Sequence, residues 1–485
     1  MRTVLAGRVG IVTFECLLVG STGEPITHIS REFCMTQYDV IVIGASAAGL
    51  TAAITARRHY PDKRVLVVRK EKLVPIPCGI PYSFGIVGAP RKNLIPAEDV
   101  LKKNSIDAIT GDVAAIDREN KAITLEQGDT YAYDRLVIAT GSDPIVPPFP
   151  GRDKENVFCV KKDVPYLERI VSAMETAESL CIVGCGFIGV EIAEECRRKR
   201  PGMRITIVEM LTHCLQLVYD REFCVKAEET LKEQNITLLL DEKVESFEGN
   251  GKVEGVRLSN GTVLQSDMVI LGIGAQANAA LARSAGLEIG PGRGVQVNRY
   301  MQTGDQSIFA CGDCAEKVSF FDGKPSPLKL ASIATMEARV AGANLFRTRR
   351  VNLGVIGVYS TVLGDCAFAA AGLTEAQAGE KGFDVMVGES EAVNRHPGCM
   401  PGACAMRVKL LFESGSQVCI GGQVSGAKSG GELINAISAC IHQRMTADDI
   451  ATFQTGTHPA LTASPIAYQL VNAAEMAIEQ MNARS

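Results

Sequence analysis

The chain has 485 residues, of which 46% are hydrophobic and 22% are charged, the composition of an ordinary globular protein. This length suffices for roughly two to four domains. The formal net charge of −5 gives no electrostatic reason to bind nucleic acid or an anionic membrane, so we expect neither partner. We also expect no membrane span, because no apolar stretch is both long and unbroken.

The 16 cysteines lack the short spacing of a disulfide scaffold, which indicates a reducing, cytoplasmic compartment with most thiols free. Cys311 and Cys314 have the spacing of a redox motif, but they fall in a segment that we assign to cofactor binding. Cys399 and Cys404 are spaced as a disulfide pair would be, and their redox activity stays open. We expect no metal ion.

Residues 1–34 differ from the sequence that follows. The apolar run Val4–Gly20 is interrupted by Arg8 and Glu15, which argues against a transmembrane helix and against a clean signal peptide. We therefore expect residues 1–34 to be a disordered or mis-started extension, and we expect the fold to begin at Met35.

A strand–turn–helix–strand pattern occurs twice. The first copy begins with the strand Asp39–Ile43 and the turn Gly44–Gly49, and the second with Leu180–Val183 and Gly184–Gly189. Glycine at such a turn lets the backbone approach a pyrophosphate, while the following helix N-terminus supplies amide donors. Two copies in matching context predict two dinucleotide-binding domains, although one alone is weak evidence.

These two units supply most of the predicted cofactor contacts. They are Gly44, Ala45, Ser46 and Gly49 at the first turn, Arg69 and Lys70 after the next strand, and Gly184, Gly186 and Gly189 at the second turn. Glu209 ends the strand after the second turn, where a carboxylate can bond a ribose 2′-hydroxyl. No arginine follows Glu209 closely, which favours NADH over NADPH.

Further buried strands end in tight turns or polar residues. The strand Ile308–Asp313 delivers a carboxylate that can accept hydrogen bonds from a ribityl chain, and the helix predicted at Ala331–Leu345 can point its N-terminus at a flavin carbonyl edge. The cofactor contacts predicted from these segments are Thr140, Gly141, Gly274, Asp313 and Ala331.

Cys78 stands in the proline-rich segment Val74–Tyr82, downstream of the first unit. A chain leaving the second strand there returns along the crevice where the reactive ring of the cofactor lies. The prolines stiffen this approach, and Gly79 lets the backbone come close. The thiol is therefore placed to exchange electrons with a flavin and to act as a nucleophile; the alternative is a buried small hydrophobe.

Together these motifs resemble the FAD-dependent pyridine nucleotide–disulfide oxidoreductases, from Thr36 to the C-terminus. The segment Cys78–Tyr82 is similar to the single-cysteine branch, which includes CoA-disulfide reductases, NADH-dependent persulfide reductases, and NADH oxidases and peroxidases. The paired-cysteine enzymes carry a second cysteine five residues away. Those positions are Leu73 and Ser83 in this chain, which excludes an internal redox disulfide at this site.

The resemblance implies an α/β fold with two Rossmann-like dinucleotide-binding domains, for FAD and NADH, and a C-terminal α+β dimerisation domain. The expected bounds are 35–155 and 265–350 for the FAD domain, 156–264 for the NADH domain, and 351–485 for the dimerisation domain. It also implies a homodimer with shared active sites.

Three further assignments depend on the resemblance. Arg57 and Arg58 correspond to an arginine pair that docks CoA, although dipole compensation at a helix C-terminus is the alternative. His458 lies in a His-Pro motif that supplies a general base to the partner subunit, while the residue that would orient it is Ala463 rather than glutamate. Glu191 corresponds to an acid near the flavin.

The function that these features imply is NADH-dependent reduction of a low-molecular-weight disulfide, persulfide or polysulfide through FAD and Cys78. A CoA-linked sulfur compound is one candidate substrate. His458 would protonate the leaving thiolate, and a positive dipole or the flavin would lower the pKa of the Cys78 thiol. Two alternatives stay open: an NADH oxidase using dioxygen, and an electron-transfer subunit that passes NADH electrons to a protein partner.

Overall fold

The computed structural model of the chain describes residues 9–12 and 33–484. Its strands are β1 (Val9–Val12), β2 (Phe33–Ile43), β3 (Val65–Arg69), β4 (Asp107–Thr110), β5 (Val113–Asp117), β6 (Ala122–Leu125), β7 (Thr130–Ile138), β8 (Ser142–Pro144), β9 (Val157–Cys159), β10 (Ser179–Val183), β11 (Arg204–Val208), β12 (Ile236–Leu239), β13 (Val244–Glu248), β14 (Gly255–Leu258), β15 (Val263–Gln265), β16 (Met268–Leu271), β17 (Ala275–Ala277), β18 (Ile308–Ala310), β19 (Val358–Leu363), β20 (Cys366–Gly372), β21 (Val385–Val393), β22 (Ala405–Glu413) and β23 (Cys419–Gly426). Its α-helices are α1 (Ala47–His59), α2 (Ala97–Lys103), α3 (Val164–Thr176), α4 (Phe187–Lys199), α5 (Arg221–Glu233), α6 (Ala280–Ser284), α7 (Ala331–Asn344), α8 (Glu375–Glu380), α9 (Gly430–His442), α10 (Ala447–Ala451) and α11 (Gln469–Arg484).

The first sheet has the strand order β4-β3-β2-β7-β6-β5, with β18 also paired to β7 and β1 to β2. Its centre is parallel, and β5, β6 and β7 form an antiparallel meander at one side. The strands at the centre are apolar and buried where they run side by side, at Val40–Ile43 of β2, Val65–Val68 of β3 and Leu136–Ile138 of β7, and β3 is buried at every residue. Helices α1 and α7 pack against each other beside this sheet.

The second sheet is wholly parallel, in the order β12-β11-β10-β16-β9. It includes β16, which corrects the expected boundary at residue 265, because Met268–Leu271 was assigned there to the returning first domain. By its sequence alone, a short buried apolar strand fits either sheet. The pairing of β16 with β10 assigns it to the second sheet. The chain crosses between the two sheets at β8 and β17, which pair with each other.

The C-terminal part is an antiparallel sheet in the order β19-β20-β23-β22-β21. Helix α9 packs against β20 and β23, and α11 packs against β21 and β22. Its core is aliphatic and includes Val408, Leu410 and Phe412 from β22, none of which is exposed. This is the α+β part predicted from residue 351 onward.

The N-terminal segment differs in part from the expected disordered extension. Residues 9–12 form β1, which pairs antiparallel with the first residues of β2. The rest of the predicted extension, residues 1–8 and 13–32, lies outside the described residues. Within the described ranges, no helix combines the length and apolar character needed to cross a membrane.

A buried lysine joins the C-terminal sheet to the second domain. Lys409 of β22 is 2% exposed, and its ammonium lies 2.9 Å from Asp220 and 2.6 Å from Glu222, just before and within α5. It also bonds Glu375 of α8. The three carboxylates hold the pKa of Lys409 well above its usual value, although burial opposes them. This ion cluster therefore sets how the two parts pack together.

Replacing this lysine tests its role. Lys409→Met should lower the free energy of unfolding by about 3–5 kcal/mol, because Asp220, whose side chain is 8% exposed, loses its buried counter-ion. Denaturant unfolding measures the change. The matched control is Lys428→Met. The Lys428 side chain is 66% exposed and its partner Asp365 is fully exposed, so this change should leave the free energy of unfolding unaltered. Equal midpoints for both variants would show that the cluster does not stabilise the fold.

Candidate active site

The two glycine-rich turns have the same geometry. Gly44 donates its N–H to Val68, and Gly184 donates its N–H to Val208, both at 2.8 Å. A Cβ on Gly49 would lie 1.9 Å from the Gly44 carbonyl oxygen, and the distance from Gly189 to the Gly184 oxygen would be 2.0 Å. In both copies the helix therefore starts in direct backbone contact with its turn, which only glycine permits.

Both turns fit the pyrophosphate of a dinucleotide. Helix α1 follows Ser46 and α4 follows Gly186, and neither helix has a side-chain cap or an acidic residue in its first turn. Their first amides therefore keep donors for an anion. A Cβ added at Gly186, or at Gly141 beside the first turn, would meet no atom within 4 Å, so there is open space above the backbone.

Asp313 lies on a one-turn helix after β18 and is largely buried. Ser142 donates its hydroxyl to Asp313 Oδ2 at 2.7 Å, and the Lys162 ammonium is 3.3 Å from the same oxygen. Burial alone would raise the pKa of Asp313, but Lys162 and Ser142 hold it below its usual value. An ionised carboxylate with its second oxygen unbonded suits the ribityl hydroxyls expected there.

A buried ion pair fixes the turn that carries Asp313. Lys317 Nζ lies 2.9 Å from Glu337 Oε2, and both side chains are at most 3% exposed. Lys317 also donates to the Gly312 carbonyl at 2.6 Å, while Glu337 accepts the Gly312 N–H at 2.9 Å. The N–H and the carbonyl of one residue, Gly312, are thus both held by charged partners, which positions the next residue firmly.

Cys78 lies on the short 3-10 helix Pro77–Gly79 and is exposed at the site. Partial burial raises the pKa of its thiol, the carboxylates of Glu191 and Asp313 act in the same direction, and Lys162 opposes them. The chain's own groups therefore raise the pKa, which is opposite to the lowering that we expected. The carboxylates that act on the Cys78 thiol come from two domains, Asp313 from the first and Glu191 from the second. Spacing along the chain does not reveal this arrangement.

Glu191 of α4 is held by a residue of the C-terminal sheet. Thr361 on β19 donates its hydroxyl to Glu191 Oε1 at 2.8 Å. Burial, with Glu194 and Glu195 nearby, raises the pKa of Glu191 to about 7 despite that hydrogen bond. The same site raises the pKa of Tyr82 to about 12, mainly through burial. A carboxyl group that titrates near neutral pH thus borders Cys78.

Glu209 holds the second glycine-rich turn. Its Oε2 accepts the Cys185 N–H at 2.7 Å, and its Oε1 accepts the Leu211 N–H at 2.9 Å. Cys185 also forms a disulfide with Cys214. Each carboxylate oxygen keeps a lone pair that can accept a further hydrogen bond.

Several other predicted contacts already have protein partners. Arg69 is buried and pairs with Glu98 at 2.7 Å, while its Nε has no hydrogen-bond partner in the part of the chain that the structure describes. Lys70 pairs with Asp112. Thr140 donates its hydroxyl to the Asn278 carbonyl at 2.6 Å. Of the predicted contact residues, Ala45 is buried, Gly274 has a left-handed φ of +101°, and Ala331 is the first residue of α7.

The two arginines and the histidine that were assigned from the resemblance lie in parts of the chain other than the segment of Cys78. Arg57 donates to the Lys63 carbonyl at 2.7 Å, so it closes the turn after α1, and Arg58 is exposed. His458 is exposed, and its Nδ1 accepts the Ala460 N–H at 3.2 Å. Among the described residues, no hydrogen bond joins His458 to Cys78 within one chain.

Some residues of the site carry no signal in the sequence. Lys162, Ser142 and Thr361 each come from a segment without a motif, and the fold brings them to Asp313 and Glu191. The Lys317–Glu337 pair has one weak signal in the sequence. Lys317 comes soon after Asp313, and Glu337 is an acidic residue inside an apolar helix. The Cys185–Cys214 disulfide was not predicted either.

Comparison with known proteins is consistent with this geometry. The family described as "Pyridine nucleotide-disulphide oxidoreductase" matches residues 38–338, and the corresponding dimerisation domain matches residues 358–466. The chain is 31% identical to an NADH oxidase of Methanocaldococcus jannaschii, over 91% of this chain and 99% of the relative. It is 31% identical to an NAD(P)H sulfur oxidoreductase (CoA-dependent) of Pyrococcus furiosus, over 81% and 89%.

A solved NAD-dependent persulfide reductase from A. fulgidus has a similar structure, with a TM-score of 0.85 and 31% identity over 92% of this chain and 84% of that chain. The chain belongs to the pyridine nucleotide–disulphide oxidoreductase family. It is an oxidoreductase that uses FAD and a nicotinamide dinucleotide, and it carries the dimerisation domain of that family.

The Glu191 carboxyl group should control how Cys78 ionises. Above pH 7 its negative charge opposes the thiolate, so Glu191→Gln should move the pH profile of Cys78 alkylation to lower pH. Glutamine keeps the acceptor for Thr361. Peptide mass spectrometry after timed iodoacetamide treatment follows Cys78 apart from other exposed thiols. Glu175→Gln, an exposed change on α3, is the control, and an unmoved profile for Glu191→Gln would contradict the coupling.

Proposed function

We propose that the chain is an NADH-dependent flavoprotein reductase of a low-molecular-weight disulfide, persulfide or polysulfide. One observation carries the proposal: the exposed thiol of Cys78 feels the charges of both Asp313 of the first domain and Glu191 of the second. The names of the relatives, a CoA-dependent sulfur oxidoreductase and a persulfide reductase, support the same substrate class.

The two dinucleotides are assigned to the two turns. FAD would lie on the Gly44–Gly49 turn with Asp313 at its ribityl chain, and NADH on the Gly184–Gly189 turn with Glu209 at its ribose. The unbonded Nε of buried Arg69 is a donor available to the first of these. Bound FAD supplies the transfer of two electrons from NADH toward sulfur.

Cys78 performs the sulfur chemistry. Its thiolate attacks one sulfur of the substrate, the substrate S–S bond breaks, and a mixed disulfide forms with Cys78. The leaving thiolate takes a proton, for which Glu191 in its protonated form near pH 7 and His458 of the partner subunit are the candidates. Two electrons from NADH then release the second thiol, so that one disulfide, one NADH and one proton yield two thiols and NAD⁺.

The exposed Arg58 is the proposed contact for a CoA-linked substrate. Arg57 is already bonded to the Lys63 carbonyl, so it serves the fold of the turn first. Arg58 leaves its guanidinium at the surface, where it can pair with a phosphate of CoA. CoA disulfide therefore belongs among the acceptors to be compared.

Replacing the nucleophile separates the sulfur reaction from the alternatives. Cys78→Ser should lower turnover with polysulfide, CoA persulfide or CoA disulfide by at least about a hundredfold, because serine forms no mixed disulfide. Reduction of the flavin by NADH, followed by its absorbance, should persist. Cys404→Ser, at another exposed thiol, is the control.

Turnover with dioxygen is measured beside these acceptors, because one relative is named an NADH oxidase. Faster NADH consumption with dioxygen than with every sulfur acceptor would favour the oxidase. Full turnover of Cys78→Ser with a protein acceptor would favour an electron-transfer subunit.

The cofactor preference follows from Glu209. We expect kcat/KM for NADH to exceed that for NADPH by about tenfold or more, equal to about 1.4 kcal/mol, because a 2′-phosphate would face this carboxylate. Steady-state kinetics with both nucleotides measure the ratio. Glu209→Gln should reduce the preference, although its single amide oxygen can accept from only one of the Cys185 and Leu211 N–H groups. Equal values in the unmodified enzyme would refute the assignment.

The enzyme is proposed to be a homodimer with shared sites. His458 hydrogen-bonds only within its own loop among the described residues, so the partner subunit is the place where it would meet a thiol site. Mixing Cys78→Ser and His458→Ala subunits should restore activity, since one of the two sites in each heterodimer is intact. An active monomer at assay concentration, seen by sedimentation, would show that His458 has a structural role.

A further inference from the structure

A disulfide joins the two segments that surround the proposed NADH ribose. Cys185 lies inside the second glycine-rich turn, between Gly184 and Gly186, and Cys214 lies in the segment that follows Glu209. Both cysteines are buried, at 1% and 0% exposure. Nothing in the chemistry of Cys78 uses this pair.

The disulfide reinforces what Glu209 does by hydrogen bonding. The Glu209 carboxylate accepts one N–H from Cys185 in the turn and one from Leu211 in the following segment. Leu215 adds a third link, because its N–H is 2.9 Å from the Cys185 carbonyl oxygen. The position of the carboxylate therefore depends on these two segments staying together.

The linked segment is held in an unfavourable conformation. Leu215, directly after Cys214, has a left-handed backbone with a φ of +59°, which a leucine rarely adopts, and its side chain is buried. The segment also presents Met210 and Leu217 to solvent, at 59% and 71% exposure. Besides the cross-link and the Glu209 bonds, Glu228 accepts the Cys214 N–H and bonds the His213 ring, and Gln377 donates to the Leu217 carbonyl. The disulfide is the covalent link among these contacts.

We propose that the Cys185–Cys214 disulfide is a thiol-responsive switch of NADH affinity. With the disulfide intact, Glu209 and the turn stay in place; once it is reduced, residues 210–217 relax and NADH binds more weakly. The inference rests on the proposed placement of NADH at this turn. The reductants are low-molecular-weight thiols, the class of product that the proposed reaction releases, so accumulating product would slow the enzyme.

The exchange balances in electrons and protons. A thiolate RS⁻ attacks one of the two sulfurs, the Sγ–Sγ bond breaks, and a mixed disulfide forms while the other cysteine leaves and takes a proton. A second thiol resolves the mixed disulfide and gives RSSR and the second cysteine thiol. Reoxidation by a low-molecular-weight disulfide is the reverse. Because the sulfurs are buried, exchange requires residues 210–217 to open, and bound nucleotide should slow it.

The test measures NADH affinity in both redox states of one holoenzyme. The Cys78→Ser background prevents a dithiol from passing electrons through Cys78. Anaerobic stopped-flow spectroscopy then gives the apparent Kd for NADH from the concentration dependence of flavin bleaching. Dithiothreitol treatment should raise this Kd about tenfold with little change in the limiting rate, and alkylation with mass spectrometry reports the state of each cysteine.

Variants sharpen the comparison. Cys214→Ser, added to this background, should have the raised Kd with or without dithiothreitol, whereas Cys224→Ser, at a buried free thiol of the same domain, should keep the response. Saturating NAD⁺ should slow reduction of the disulfide. The dithiothreitol comparison needs no change at either cysteine, so it stands even where Cys214→Ser folds poorly.

Two results would overturn the switch: Kd values within twofold of each other in the two redox states, or Cys185 and Cys214 both alkylated in protein never exposed to reductant.

Glu209→Ala separates this failure from failure of the proposed function. If that variant weakens NADH binding while the redox state has no effect, the placement of NADH stands and the switch is wrong. If it leaves NADH affinity unchanged, NADH does not bind at this turn, and both proposals are wrong.

Discussion

The close approach of a helix to the turn before it is the constraint on which the rest of the site depends. At Gly49 and Gly189, any side chain would overlap the carbonyl oxygen of Gly44 or Gly184. Because both helices start in contact with their turns, their amide dipoles end at the same edge of their sheets, where the strands deliver Asp313 and Glu209. The same backbone device thus builds both glycine-rich turns.

Charged groups then fix parts of the structure that the two glycine-rich turns do not position. Lys317 and Glu337 hold the carbonyl and the N–H of Gly312 from inside the protein, and Lys409 gathers carboxylates at the border between two parts of the chain. Such groups contribute little net stability when paired, but each is costly to leave alone, so they favour a single arrangement. The position of Asp313, and the packing of the C-terminal sheet that brings Thr361 to Glu191, depend on this arrangement.

The charged groups around Cys78 act on its thiolate in opposite directions. The carboxylates of Glu191 and Asp313 disfavour its thiolate, while Lys162 favours it. A carboxyl group with a pKa of about 7, as at Glu191, changes this balance within the neutral range and can also carry a proton. A charge that changes during turnover, on substrate or cofactor, can therefore alter the reactivity of this thiol.

Much of the architecture was determined by local sequence. The two fingerprints, the apolar strands that adjoin them and the helix beginning at Ala331 were predicted close to their observed bounds, because short-range physics fixes them: glycine for backbone contact, apolar runs for buried parallel strands. The family and its two dinucleotide cofactors followed from these motifs. The change to an α+β part after residue 351 also showed in the sequence, although only some of its strands did.

Tertiary structure alone decided the rest. A short apolar strand such as Met268–Leu271 fits either sheet until its neighbours are known, so the boundary at 265 was wrong. The pKa of Cys78 was expected to fall, and the carboxylates that help raise it come from segments remote in sequence. The bond between Cys185 and Cys214 likewise depends on a loop folding back onto the turn. Spacing along a chain predicts local backbone conformation, but electrostatics and cross-links depend on distances in space, which only the packed chain sets.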